Sequence, residues 1–163
     1  MTRQIATFFL GDTLLGVDIL LVKEIYRHQS VNPIPDAPLH LCGLMNLRGR
    51  VVTVINLSVC LNRPGPADME KSRLLILKTQ EDIRACSCKE LLEDVWLGDD
   101  IVGFLIDKMD DVLSVESEDI LPPPPNIADI ENDLIEGIIK RKDRLVILLN
   151  VTAILELIMN VNK

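Results

Sequence analysis

The run Gly43-Leu44-Met45-Asn46-Leu47-Arg48-Gly49-Arg50-Val51-Val52-Thr53-Val54-Ile55-Asn56-Leu57 constrains this chain more than any other. It reads as a turn that ends in a strand. Gly43 and Gly49 can take backbone angles closed to other residues. Asn46 bonds locally and tolerates a left-handed conformation. Val51 to Leu57 is almost wholly apolar and β-branched, the pattern of a strand covered on both faces. Between the glycines stands Arg48, a fixed charge on the lip of an apolar element, which needs a carboxylate, a carbonyl or water as partner. The most suggestive carboxylate upstream is Glu24, in Val22-Lys23-Glu24-Ile25.

The rest of the chain points to more short strands. Its 163 residues suffice for one domain with a sizeable core, or for two small sub-barrels sharing one. Ile5 to Leu10 and Leu14 to Ile19 flank Gly11-Asp12-Thr13 and read as a hairpin. Leu20 to Tyr26 reads as a helical turn passing into a strand. Asn32-Pro33-Ile34-Pro35-Asp36-Ala37-Pro38 is excluded from regular structure by its prolines. Pro38 is placed to begin a single helical turn over Leu39 to Gly43.

Leu61 to Ser72, with Pro64-Gly65-Pro66, reads as an exposed linker. Strands follow at Arg73 to Lys78, Ile101 to Asp107 and Asp110 to Val115, then at Leu134 to Lys140 and Arg144 to Leu149. Pro122 to Pro125 form a stiff segment, either a rigid loop or a ligand for a proline-reading module. Thr152 is placed to cap a final helix whose apolar face is Ile154, Leu155, Ile158 and Met159. About nine or ten short strands with no alternating βαβ pattern favour small closed barrels. No sequence repeat is strong enough to derive two of them.

Composition narrows the function. Aromatic residues are only 3% of the chain, so the core is aliphatic. The net charge of −8 disfavours nucleic acid and anionic membrane surfaces. No apolar run is long enough to span a membrane, and no signal peptide is visible, so the expected location is cytoplasmic. Cys42 and Cys60 read as small core residues, reduced in that compartment. Cys86-Ser87-Cys88 lacks a second pair to complete a zinc site and reads as two loop thiols. Asp107, Asp110 and Asp111 lack calcium-loop spacing and read as a solvated strand end.

No phosphate loop, nucleophile elbow or acid–base carboxylate pair is present. His28 and His40 lie in loop contexts without a neighbouring nucleophile. No metal, cofactor or enzyme activity is expected, and recognition of other proteins is what remains. A thiol- or metal-responsive regulatory subunit and a small hydrolase stand as alternatives.

Gly43-x-x-Asn46-Leu47-Arg48-Gly49 and its valine-rich strand resemble the signature of the chemotaxis coupling protein (CheW) family. Other landmarks follow in family order over almost the entire chain. They are Phe9-Leu10-Gly11 with Gly16-Val17-Asp18-Ile19, Val22-x-Glu24-Ile25, the triple-proline loop, Gly103-Phe104-Leu105-Ile106-Asp107, the proline run and Gly137. Asn56 and Asn150 depart from the pattern, where aspartate is common. The polar segment at about 79–100 departs too: the flanking strands usually connect more tightly, so an insertion of roughly fifteen residues is expected, and long loops are seldom idle. Trp96 within it either packs on the barrel or marks a contact surface.

The resemblance implies an all-β fold of two packed five-stranded SH3-like barrels with a C-terminal helix. Their boundary would lie near residues 73–100 of a single 1–163 domain. It implies a non-enzymatic adaptor, without cofactor, bridging chemoreceptor cytoplasmic tips and the C-terminal regulatory domain of the chemotaxis histidine kinase, at membrane-associated arrays but with no membrane insertion of its own. A pilus-motility or other chemotaxis-like pathway would use the same residues. By matching positions, Glu24 and Arg48 belong to the receptor-facing groove, lined by Ile19, Val22 and Ile25, while Gly43, Asn46, Leu47 and Gly49 shape the motif turn. An intramolecular bridge between Arg48 and Glu24 is compatible with that role.

Overall fold

A computed structural model describes residues 2–27, 31–63, 69–85, 97, 100–125 and 130–161. His28, the Cys86/Cys88 pair, Trp96 and the side chain of Met159 lie outside the described residues.

The strands are β1 (Thr2–Leu10), β2 (Thr13–Asp18), β3 (Val22–Arg27), β4 (Leu41–Leu47), β5 (Arg50–Asn56), β6 (Arg73–Leu77), β7 (Ile101–Ile106), β8 (Lys108–Glu116), β9 (Ile120–Leu121), β10 (Ile135–Arg141) and β11 (Arg144–Leu149). Helices α1 (Leu57–Cys60), α2 (Gln80–Ala85) and α3 (Val151–Val161) accompany them. A single turn of 3₁₀ helix, Ile19–Leu21, leads from β2 into β3, as Leu20 to Tyr26 foretold.

The strands form two sheets, ordered β8-β1-β2-β11-β10-β9 and β3-β6-β7-β5-β4. The fold is therefore mainly β, with two packed sheets and a C-terminal helix. β6, which opens segment 73–100, and β7, which follows it, pair with each other within the five-stranded sheet. The chain leaves the first sheet after Asp18 and returns to it at Lys108. Each sheet contains one parallel pair that only a distant segment can complete: β2 with β11, and β5 with β7.

Side-chain alternation along these strands builds three apolar clusters. Val52 and Val54 point into a small core of their own sheet with Met45, Leu74, Ile76 and Leu105. Val146 and Leu148 point into the matching core of the other sheet with Ile5, Leu14 and Ile139. Ile55, Leu57, Ile147, Leu149, Phe8, Phe104, α1 and α3 meet in the largest cluster, which both sheets share.

The two hairpins β4–β5 and β10–β11 correspond residue for residue without a gap. Gly43 matches Gly137, Arg50 matches Arg144, Val52 matches Val146 and Asn56 matches Asn150. A β-bulge precedes each glycine. The Asn56 N–H bonds the His40 carbonyl at 2.7 Å, and the Asn150 N–H bonds the Leu134 carbonyl at 2.8 Å. A repeat absent from inspection of the sequence is thus present in the fold; few identities survive because aliphatic residues replace one another freely in such cores.

Other expectations need correction. Gly43 lies inside β4, not in a turn, and the tight turn is Arg48-Gly49. Leu39 to Gly43 holds no helical turn: after one turn-type bond from the Leu41 N–H to the Pro38 carbonyl, β4 begins. β5 is not covered on both faces, since Val51, paired with Asn46 of β4 but beyond the start of β7, is 62% exposed. α3 is capped by Asn150, whose Oδ1 accepts from the Ala153 N–H at 3.1 Å, rather than by Thr152. An amide oxygen can serve an N-cap as a hydroxyl does.

Candidate functional site

β3 and β4 are the outermost strands of the five-stranded sheet, yet their side chains meet. Arg48 Nη2 donates to Glu24 Oε1 at 2.5 Å. The Arg48 guanidinium also lies 5.4 Å from the centre of the Tyr26 ring, two residues along the same strand and hence on the same face. The sheet therefore rolls until its edges are clasped by a cation held on a carboxylate and an aromatic face.

The local sequence explains how Arg48 is aimed. Its own φ is +52° and that of Gly49 is +83°, the paired left-handed residues of a tight hairpin turn whose twist suits the strands it joins. Asn46 Oδ1 accepts from the Gly49 N–H at 2.9 Å and fixes that turn. Gly43, with φ +147°, passes so close to Asn32 that any Cβ would collide with the Asn32 carbonyl. That contact holds the strand after the proline loop against β4, where Asn32 and Leu44 exchange backbone bonds at 2.8 and 2.9 Å. Leu47 is half-buried against the small core of the same sheet.

The remaining groove candidates divide. Ile19 and Val22 are half-buried against the shared core. Ile25 is 44% exposed and points to the opposite side of β3 from Glu24 and Tyr26. Arg48 stays 66% exposed although paired, so its charge remains available to solvent or a partner, while Glu24 is one-third exposed. The structure thus brings together Glu24 and Arg48, adds Tyr26, which sequence reasoning did not single out, and leaves Ile25 as a separate apolar point.

The equivalent place in the other hairpin carries a second clasp. Arg141 Nη2 lies 3.2 Å from Asp111 and Nη1 3.9 Å from Asp110, both on the edge strand β8. Lys142, which matches Arg48, also has a positive φ, +41°. Asp110 and Asp111 are therefore seam partners rather than only a solvated strand end. Beside them, Lys108 and Arg144 approach the Phe9 ring at 5.0 and 5.6 Å.

Among the described residues no group of three His, Cys, Asp or Glu side chains is arranged to hold a metal ion. Burial raises the Cys42 thiol, and it pushes Cys60 up to about 11 against an opposing backbone hydrogen bond, with a lesser push from Cys42. Both stay protonated and unreactive, as core cysteines do. Burial lowers the His40 imidazole, which keeps it neutral near pH 7, and its Nε2 has no partner among the described residues. No described helix is long and apolar enough to cross a membrane.

Comparison with known proteins agrees with this picture. The family model of the CheW-like domain matches residues 4–159. A chemotaxis protein CheW from Treponema pallidum is 32% identical over 91% of this chain and 79% of its own length. One from Bacillus subtilis is 26% identical over 96% of this chain and 92% of its own. The crystal structure of a CheW scaffolding protein from Thermoanaerobacter tengcongensis superposes with a TM-score of 0.76 at 26% identity, covering 94% of this chain and 88% of that one. With a match running from the first strand into the last helix, the chain belongs to the CheW-like domain family.

Proposed function

We propose that this protein is a non-enzymatic adaptor of a chemotaxis pathway that joins the cytoplasmic tip of a chemoreceptor to the regulatory domain of the chemotaxis histidine kinase. Relatives that it matches over most of their length are chemotaxis proteins CheW, one described as scaffolding. The observation that carries the site assignment is Arg48, held at a strained turn, paired with Glu24 and stacked on Tyr26, yet two-thirds exposed. A guanidinium with donors to spare can bond polar groups of a docked helix. Ile19 and Val22 form the half-buried floor where β3 begins, and Ile25, on the opposite side of β3 from Glu24, offers a separate apolar point beside the groove. A helix laid into such a groove would bind by apolar contact, with the charges fixing its register. The protein would act in the cytoplasm, recruited to receptor arrays.

The test is co-sedimentation with a receptor signalling fragment and the kinase. The unchanged chain should join both. Arg48→Glu and Glu24→Lys should lose the receptor while keeping the kinase and a native circular-dichroism spectrum. Unchanged receptor binding by folded Arg48→Glu would remove the groove assignment.

A further inference from the structure

The pairing of β3 with β6 contains an irregularity: Val22 faces Leu77 and Glu24 faces Ile76, leaving Lys23 as an extra residue with no partner in the ladder. This is a β-bulge, and a bulge decides which face every later side chain of its strand takes. Were Lys23 absorbed into the ladder, β3 would slip by one residue; Glu24 would turn away from Arg48 and Ile25 would take its place.

Outside the ladder, Lys23 has a partner of its own. Its Nζ lies 3.2 Å from Asp82 Oδ1 and 3.3 Å from Oδ2. Asp82 is itself fixed at the start of α2. Its Oδ2 accepts from the Thr79 N–H at 2.9 Å and from the Thr79 hydroxyl at 3.1 Å, while its own N–H donates to Thr79 Oγ1 at 3.2 Å, a reciprocal N-terminal cap. α2 is anchored in turn. Ile83 is buried in the shared core, as is Leu97, whose N–H donates to Gln80 Oε1 at 3.1 Å. The long connection between β6 and β7 therefore begins with a buttress against the strand that carries Glu24.

We propose that Lys23 and Asp82 are positioning residues for the docking groove: their ion pair pins the bulge that aims Glu24 at Arg48 and leaves Ile25 outward. This rests on the groove reading above. It gives the β6–β7 connection a part in recognising the helical receptor tip, through the geometry of β3.

The experiment measures the affinity of the full chain for a receptor signalling fragment. Lys23→Met removes the cation without touching α2. Asp82→Asn keeps an acceptor for Thr79 and removes the charge. Both pair members are partly solvated, which limits the effect; each change is expected to weaken binding by about threefold to fivefold. Lys23→Arg should bind like the unchanged chain. The discriminating readout is the double variant Lys23→Met with Arg48→Met. If Lys23 acts by aiming Glu24 at Arg48, its effect vanishes once Arg48 is gone, whereas general loosening of the fold would add to the loss. Additive losses, or Lys23→Met binding at full strength while Arg48→Glu fails to bind, overturn the positioning role and leave the groove intact. Full binding by Arg48→Glu overturns the groove reading instead.

Discussion

The hairpins β4–β5 and β10–β11 are the same structure put to different use. Each turns at a residue of positive φ, each carries a cation that reaches the far edge of its sheet, and each ends in an asparagine and a helix. The first uses a single carboxylate and an aromatic ring, and its arginine remains largely exposed. The second moves the arginine one position earlier, to Arg141, and sets it between two aspartates. A seam can be closed either way. Arg48 is 66% exposed and Arg141 37%, so the first arrangement turns more of its guanidinium toward solvent than the second.

The widest test of the equivalence is in the two private cores. Met45 and Ile139 occupy matching places, so Met45→Ala and Ile139→Ala should each cost about 3–4 kcal/mol in urea unfolding. A large inequality would show that the sheets do not carry comparable loads. Gly43→Ala and Gly137→Ala should differ instead. At Gly43 the new methyl strikes backbone and the φ is unfavourable, for about 3 kcal/mol, whereas at Gly137 part of the clash is with the Ile120 side chain, which can shift.

The asparagines sharpen the contrast further. Asn150→Ala should cost about 1 kcal/mol, the usual value of a helix cap. The Asn56 side chain accepts from the Ser58 hydroxyl and makes no cap bond to the backbone of α1, so Asn56→Ala should cost less in the same measurement. Arg48→Met and Arg141→Met should each change stability by less than about 1 kcal/mol, because both pairs are largely solvated; a receptor-binding assay should separate them, with only Arg48→Met weakened.

The smallest effects are those of pH. Burial alone would raise the Asp82 carboxyl, but hydrogen bonds from Thr79 and Lys23 outweigh it and hold the group below its ordinary value. Its contribution is present above the unfolded value near about pH 4 and is lost as pH falls through the folded value. His40, lowered by burial, acts earlier: below about pH 6.5 the unfolded chain takes up its proton first, so stability declines on acidification. Unfolding midpoints at pH 7 and pH 5 for the unchanged chain and His40→Gln would show whether that slope belongs to His40.

Much of this was legible in the chain because it rests on local rules. The valine-rich run after Gly49 forms its strand, the two apolar runs around Gly11-Asp12-Thr13 form the β1–β2 hairpin, and Arg48 finds the carboxylate that its placement requires. What escaped depends on distant partners. Gly43 reads as a turn residue, yet its freedom is needed inside a strand because Asn32 crosses it. Val51 reads as core but lies just before the point where β7 joins β5, and stays exposed. Laying the second hairpin on the first, by its glycine and asparagine positions, would have shown the repeat, but Tyr26 on β3 and Asp111 on β8 lie outside both hairpins and reach their cations only through the closed sheets. The Lys23 bulge has no sequence signal, since a bulge is a relation between two strands.

The parallel pairing of β2 with β11 also sets a timetable. While the chain is being made, β1 and β2 emerge first, and the partner of β2 emerges only just before α3. At ordinary synthesis rates that wait is on the order of ten seconds. During it the nascent hairpin presents an unpaired apolar edge, the kind that recruits chaperones or other nascent strands. The sheet built from β3 to β7 is contiguous in the chain and can close first. Ribosome-bound intermediates ending before Arg144 should therefore protect Val52 and Leu74 from solvent exchange while Leu15 and Val17 still exchange freely.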